Sequence, residues 1–241
     1  MRFDGGDFVL AGFAKPGSAS ELLSVYLETD GNAWIDWYHP SSDPSPLDPT
    51  ALRLALKDPA PGVVYLARPC QFVAADDARN CEPGAWTRSR FSERVVAATS
   101  RAIDAAKQAA GARQVRLYGV SGGGVLAALI AARRTDVVRL VTVAAPLDTA
   151  AWTRLHRVSP LAGSLEPRQS AAALAALPQI HFVGANDEIV PASVVQSFLA
   201  ALPAPVDARL IVIPGYDHEC CWADAWPPRE LQPRESGAGT R

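Results

Sequence analysis

Seven short apolar runs recur along the chain, and helical patterns or loops separate them: Phe8–Ala14, Leu22–Glu28, Gly62–Ala67, Val115–Val120, Val137–Ala145, Gln179–Ala185 and Arg209–Gly215. Runs this short and this continuously apolar read as strands buried on both faces. Between them lie helical stretches. In Ser89–Gly111, Phe91, Val95, Ala98, Ala102, Ala105 and Ala109 fall at steps of three and four, and Gly111 can close the helix. Gly122–Arg133 is apolar nearly all round, which predicts a buried helix. Shorter helices are expected near Thr50–Leu56 and over Ala192–Leu202. Strands alternating with helices imply an α/β fold, a mostly parallel sheet covered on both faces.

With 241 residues, of which 49% are hydrophobic and 20% charged, the chain can bury a sizeable core. One domain over residues 1–226 is expected, with residues 227–241 a polar, disordered tail. Between Leu147 and Pro178 the alternation lapses, which predicts a short cap-like excursion over one end of the sheet. A net charge of −2 gives no footprint for nucleic acid or an anionic membrane. No run is long enough to span a bilayer, and the start "MRFDGGDFVL" lacks the order of a secretory signal. A cytoplasmic protein is the default expectation, or an exported one if a leader has been removed. Cys70 and Cys81 bracket a short loop and can form a disulfide in an oxidising compartment or stay as thiols in a reducing one. Cys220 and Cys221 are adjacent, and neighbours rarely bond to each other. No CxxC spacing suggests a metal site.

One serine sits among glycines in "LYGVSGGGVL", between a strand and a buried helix. Glycine is costly inside regular structure, so Gly119 and Gly123, two before and two after Ser121, need a steric reason. A turn tight enough to project the Ser121 hydroxyl above the sheet supplies it. The turn also sets Ser121 at a helix N-terminus, where free N–H groups favour developing negative charge.

A serine hydroxyl needs a base. Of the four histidines, His181 lies inside an apolar strand and reads as a satisfied core side chain. His39 and His156 read as surface or local packing. His218 follows the last strand, at the carboxyl edge of the sheet where ligand crevices form, and is the expected base. Asp187, just past a strand on the same edge, is the expected orienting acid. Asp148 is the alternative, with a helix N-cap as its ordinary role. The oxyanion donors are expected to be the N–H groups of Gly122 and of Asn32, with Ala33 as the alternative to Asn32. Trp34, Trp37 and Tyr38 are expected to wall an acyl or leaving-group pocket.

These residues resemble the α/β-hydrolase superfamily, over most of residues 8–226. The resemblance rests on Gly119-Val120-Ser121-Gly122-Gly123, on "GANDEIVP" and on "GYDH". It implies Ser121 as nucleophile, Asp187 as acid and His218 as base. More narrowly the chain resembles a bacterial group of hydrolases with "DGNAW", "YLARPCQFV" and "FSERVV" stretches, which implies no particular substrate. Where superfamily esterases often carry His-Gly at the oxyanion loop, this chain has Asp30-Gly31. The expected activity is hydrolysis of a small-molecule carboxylic ester or thioester, with no cofactor. A peptidase on the same triad and a binding protein that has lost catalysis are the rival readings.

Overall fold

The computed structural model describes residues 1–15, 17, 19–36 and 38–231. Eight strands form one sheet: β1 Arg2–Asp4, β2 Val9–Ala14, β3 Leu22–Leu27, β4 Val63–Leu66, β5 Gln114–Val120, β6 Val137–Val143, β7 Gln179–Gly184 and β8 Ala208–Ile213. Their spatial order is β1-β2-β4-β3-β5-β6-β7-β8. The first two pairings are antiparallel and the others parallel. The turn after β2 makes no hairpin with β3, because β4 comes between them.

The strands alternate as a two-faced sheet must. Leu23, Val25 and Leu27 of β3 join one core with α2 (Glu93–Ala110), α3 (Gly122–Ala131) and Val195 and Phe198 of α6 (Ala192–Leu199). Tyr26 looks the other way, into a second core with α1 (Thr50–Lys57), Trp222 and Trp226. There Tyr26 and Tyr118 stack at 4.4 Å, and the Trp226 ring stands edge-on to both. Tyr26 donates its hydroxyl to Asp58 (2.8 Å) and accepts from Trp226 Nε1 (3.1 Å). The chain beyond β8 is thereby tied back to the sheet centre. Of the expected tail, residues 227–231 are described and include a short turn at Arg229–Leu231; residues 232–241 lie outside the described set.

The α2 boundaries follow capping chemistry. Ser92 accepts from the Val95 N–H, Glu93 stands in the first turn, and Gly111 closes the helix at φ 67°. Its buried stripe drifts from the expected one, taking in Ile103 and Ala106 while Ala109 stays exposed. Helix α3 is buried at all ten positions, as its uniform apolarity predicts. The excursion carries α4 (Thr149–His156) and a single turn, α5 (Ala171–Leu174).

Cys70 and Cys81 are joined by a disulfide with Cα atoms 5.5 Å apart. Cys220 and Cys221 lie side by side in the loop after β8. Their loop is turned back on itself by the Cys220 N–H donating to Asp217 (2.7 Å) and the Asp224 N–H donating to the Cys221 carbonyl (2.8 Å).

His181 also departs from expectation. It is fully buried and its Nδ1 lies 2.8 Å from the Thr142 hydroxyl, but Nε2 has no partner among the described residues. Burial pulls its pKa from 6.5 down to about 3. Between those values the unfolded chain binds the proton and the folded one does not, so stability falls as pH drops through that window and levels off below it. The slope is at most about 1.4 kcal/mol per pH unit. Thermal melts across this window should show a shallower fall in Tm for His181→Gln than for the wild type; equal slopes would exclude His181 as a source of acid lability.

Candidate active site

Strand β5 ends at Val120 and α3 starts at Gly122, which leaves Ser121 alone to turn the chain. Its φ of 50° and ψ of −122° lie where a side-chain-bearing residue is strained. The turn is held by the Ser121 N–H donating to the Val143 carbonyl at 2.8 Å. The flanking glycines have separate jobs. A Cβ on Gly119 would strike the Gly123 carbonyl, and one on Gly123 would strike the carbonyls of Leu27 and Glu28, each well under 3.0 Å. Gly119 therefore admits the first turn of α3, and Gly123 lets that turn pass the end of β3.

His218 arrives from the loop after β8 and Asp187 from the loop after β7. His218 Nε2 lies 3.2 Å from Ser121 Oγ, and His218 Nδ1 lies 3.0 Å from Asp187 Oδ2. The other carboxylate oxygen of Asp187 accepts the N–H groups of Ile189 (3.0 Å) and Val190 (2.7 Å). The Asp187 side chain is fully buried, whereas His218 keeps 17% of its surface exposed. Trp222 Nε1 donates to the His218 carbonyl at 3.3 Å.

Asp148 is a helix cap. It accepts from the Ala151 N–H (2.8 Å) and the Ser197 hydroxyl (2.5 Å), and makes no hydrogen bond to His218. His39 pairs with Asp36 at the surface. His156 Nε2 and Trp152 Nε1 both reach the Ile189 carbonyl, at 2.7 and 2.8 Å. Helix α4 thereby clamps the acid loop.

Among the described residues nothing accepts the Gly122 N–H. The Asn32 N–H, expected to be its partner donor, is instead donated to the Pro44 carbonyl at 3.1 Å. The proline-rich loop folds back over that turn and uses the proton. The Asp30 N–H, two residues earlier, has no acceptor among the described residues, and Asp30 Oδ1 lies where a Gly122 Cβ would be. Asp30, not Asn32, stands across from Gly122.

Of the expected aromatic wall, the described members Trp34 and Tyr38 do not line the pocket at Ser121. Trp34 bridges to Pro40, and the Ile35 N–H bonds the His39 carbonyl at 2.9 Å, so this loop closes on itself and leaves Tyr38 at the surface. Trp37 lies outside the described residues. The pocket at Ser121 has a volume of about 30 Å³, far below the usual size of a ligand site. Its apolar walls include Phe91, Trp152, Leu161 and Val190. No group of three His, Cys, Asp or Glu residues among those described could hold a metal ion.

Two arginines missed in the sequence hold the Asp30 loop. Asp30 receives Arg68 Nη1 on one oxygen and Arg90 Nη1 (2.6 Å) on the other. Arg68 Nη2 also donates to the Arg90 carbonyl at 2.6 Å. Burial would raise the Asp30 carboxyl, but the Arg90 and Arg68 guanidiniums outweigh it and hold it below the ordinary carboxylate range. Gln71 joins the assembly, accepting from the Arg68 N–H and donating to the carbonyls of Thr29 and Pro44. The one signal in the sequence was the position of Arg68, just past a strand on the carboxyl edge.

No protein-family model and no curated protein sequence matches the chain. Solved structures do match it. Est1E from Butyrivibrio proteoclasticus, with ferulic acid bound, is 14% identical, with TM-score 0.65 and 90% of each chain covered. The alpha/beta hydrolase GrgF from Penicillium sp. sh18 is 13% identical, with TM-score 0.65 and 91% of this chain and 90% of that one covered. Proline iminopeptidase from Mycobacterium smegmatis is 16% identical, with TM-score 0.59 and 90% and 91% covered. In sheet order, crossover pattern and overall shape the chain has the α/β-hydrolase fold.

Proposed function

We propose that the protein is a serine hydrolase acting by acyl transfer on a small-molecule ester or thioester. One observation carries the reading: a strained serine, a histidine and a buried aspartate, from the turns after three separate strands, lie in a row at 3.2 and 3.0 Å. Ser121 Oγ attacks the carbonyl carbon while His218 Nε2 takes its proton. Asp187 holds the imidazole with Nδ1–H toward itself and stabilises the imidazolium. The N–H groups of Gly122 and Asp30 receive the oxyanion. His218 then returns the proton to the leaving group, and water releases the acyl group with His218 again as base. Every step uses groups of this chain.

An alkoxide or thiolate leaves with less proton assistance than an amine, which puts esters and thioesters ahead of amides. A binding role without catalysis would leave the strain at Ser121 and the two glycines without a return. Intact-mass analysis after fluorophosphonate treatment tests the reading. One adduct is expected on the wild type and none on Ser121→Ala. A folded wild type that takes no adduct would overturn it.

A further inference from the structure

The space around Ser121 is unequal on its two sides. The cavity beside it holds about 30 Å³, room for roughly one or two groups the size of a water molecule. Phe91, Trp152, Leu161 and Val190 supply its apolar surface. Of its polar members, Thr149 gives its hydroxyl to Glu166 (2.5 Å), and Asp30 and Arg90 pair with each other. His218 does not line this cavity; it stands outside, with 17% of its side-chain surface exposed.

That inequality assigns the two halves of a substrate. His218 Nε2 has to hand its proton to the leaving group, so the leaving group lies on the open side, next to His218. The acyl group is left with the closed side, and the walls there are tied down. The Phe91 N–H donates to the Ser164 hydroxyl (3.1 Å), and the Phe91 carbonyl accepts the Leu165 N–H (2.9 Å). The Arg68 guanidinium lies 5.0 Å from the centre of the Phe91 ring. Trp152 is held by its Nε1 bond to the Ile189 carbonyl (2.8 Å), and Leu161 by a turn in which the Ser164 N–H donates to its carbonyl (3.0 Å). A long acyl chain enters only by displacing packed side chains, which is costly.

We propose that the closed side is an acyl pocket cut to the length of an acetyl group, so that the substrates are acetyl esters or thioesters whose larger half stays outside. The proposal rests on the serine-hydrolase reading and narrows its substrate class. With the carbonyl carbon at Ser121 Oγ and its oxygen at the Gly122 N–H, only the methyl group has to enter the cavity. A butyryl group brings two further CH₂ groups into space that one or two small groups already fill. Leu161, half-buried and contributed by the excursion, is the wall that sets this depth. The chemistry remains hydrolysis: the acyl carbon–oxygen or carbon–sulfur bond breaks, water adds across it, and the products are acetate and an alcohol or thiol.

The test compares 4-nitrophenyl acetate with 4-nitrophenyl butyrate, after subtracting the rates found with Ser121→Ala. In an open apolar pocket the two extra CH₂ groups would favour the butyrate roughly tenfold. Here the acetate should lead by about tenfold or more in kcat/KM. In Leu161→Ala that ratio should fall to about one-tenth of its wild-type value or less, because the wall recedes. A wild type that cleaves the butyrate as well as the acetate overturns the proposal. So does a ratio that Leu161→Ala leaves unchanged. If Leu161→Ala does not fold, the wild-type ratio decides alone. A wild type that takes the fluorophosphonate on Ser121 yet cleaves no acetyl ester overturns the proposal and leaves the hydrolase reading standing. No labelling and no cleavage of either ester would strike the hydrolase reading instead.

Discussion

Asparagine at position 187 is expected to lower kcat by about 10⁴ while the protein stays folded. The reason lies in how the carboxylate is divided. One oxygen of Asp187 accepts the N–H groups of Ile189 and Val190, and the other faces His218 Nδ1. In Asp187→Asn the amide oxygen stays with the two backbone donors, since an NH₂ there would meet them donor to donor. The NH₂ then points at His218 and donates to Nδ1. That fixes the proton on Nε2, which can no longer accept from Ser121. Steady-state kinetics with a thermal melt on the same sample check this. Asp148→Asn, whose partners are the α4 cap, Ser197 and Arg168 and not His218, should keep kcat within about twofold. A loss of less than tenfold in Asp187→Asn would remove that residue from the relay.

The largest effect on stability is expected at Asp30. Replacing it with Asn leaves two enclosed guanidiniums facing each other without a counter-charge, which should cost about 3–5 kcal/mol. For a chain of this size that is a drop in Tm of roughly 6–20 °C. Arg68→Met should cost less, because Arg90 and Asp30 remain a matched pair. Chemical denaturation of the two variants orders the losses; a larger loss for Arg68→Met would contradict the charge count. Acid should act in the same direction. The Asp30 carboxyl titrates lower in the folded protein than in the unfolded chain. Its contribution is therefore complete above the ordinary carboxylate range and is lost as pH falls through the folded value. His181 adds to that lability from a higher pH.

What could be read beforehand was what local pattern encodes. Apolar runs gave seven of the eight strands, and only the three-residue β1 was missed. The spacing of Gly119, Ser121 and Gly123 marked a turn, because sterics within five residues demand it. Asp187 and His218 were legible from their places just past strands on one edge. The rest depended on long-range pairing. Whether the Asn32 N–H is free is settled by the Pro44 carbonyl, on a loop whose return leaves no mark in "VYLETDGNAW". Asp30 meets Arg68 and Arg90 across 38 and 60 residues, and nothing near any of the three announces the others. The unpartnered Nε2 of His181 was equally hidden, since an apolar strand says that a ring is buried but not what it touches.

The relay is unevenly supported. Ser121 follows β5, which is flanked by β3 and β6, whereas His218 follows β8, the last strand, which pairs on one side only and leaves Val212 43% exposed. Edge strands open at lower free energy than central ones. A brief peeling of β8 would carry His218 away while Ser121, its turn and the core stood intact. The contact between His218 and Ser121 is therefore the feature of the site most open to local loss. It would fail under mild heat or denaturant as a reversible flicker at one border of the sheet, well ahead of any collapse that a whole-chain probe would register.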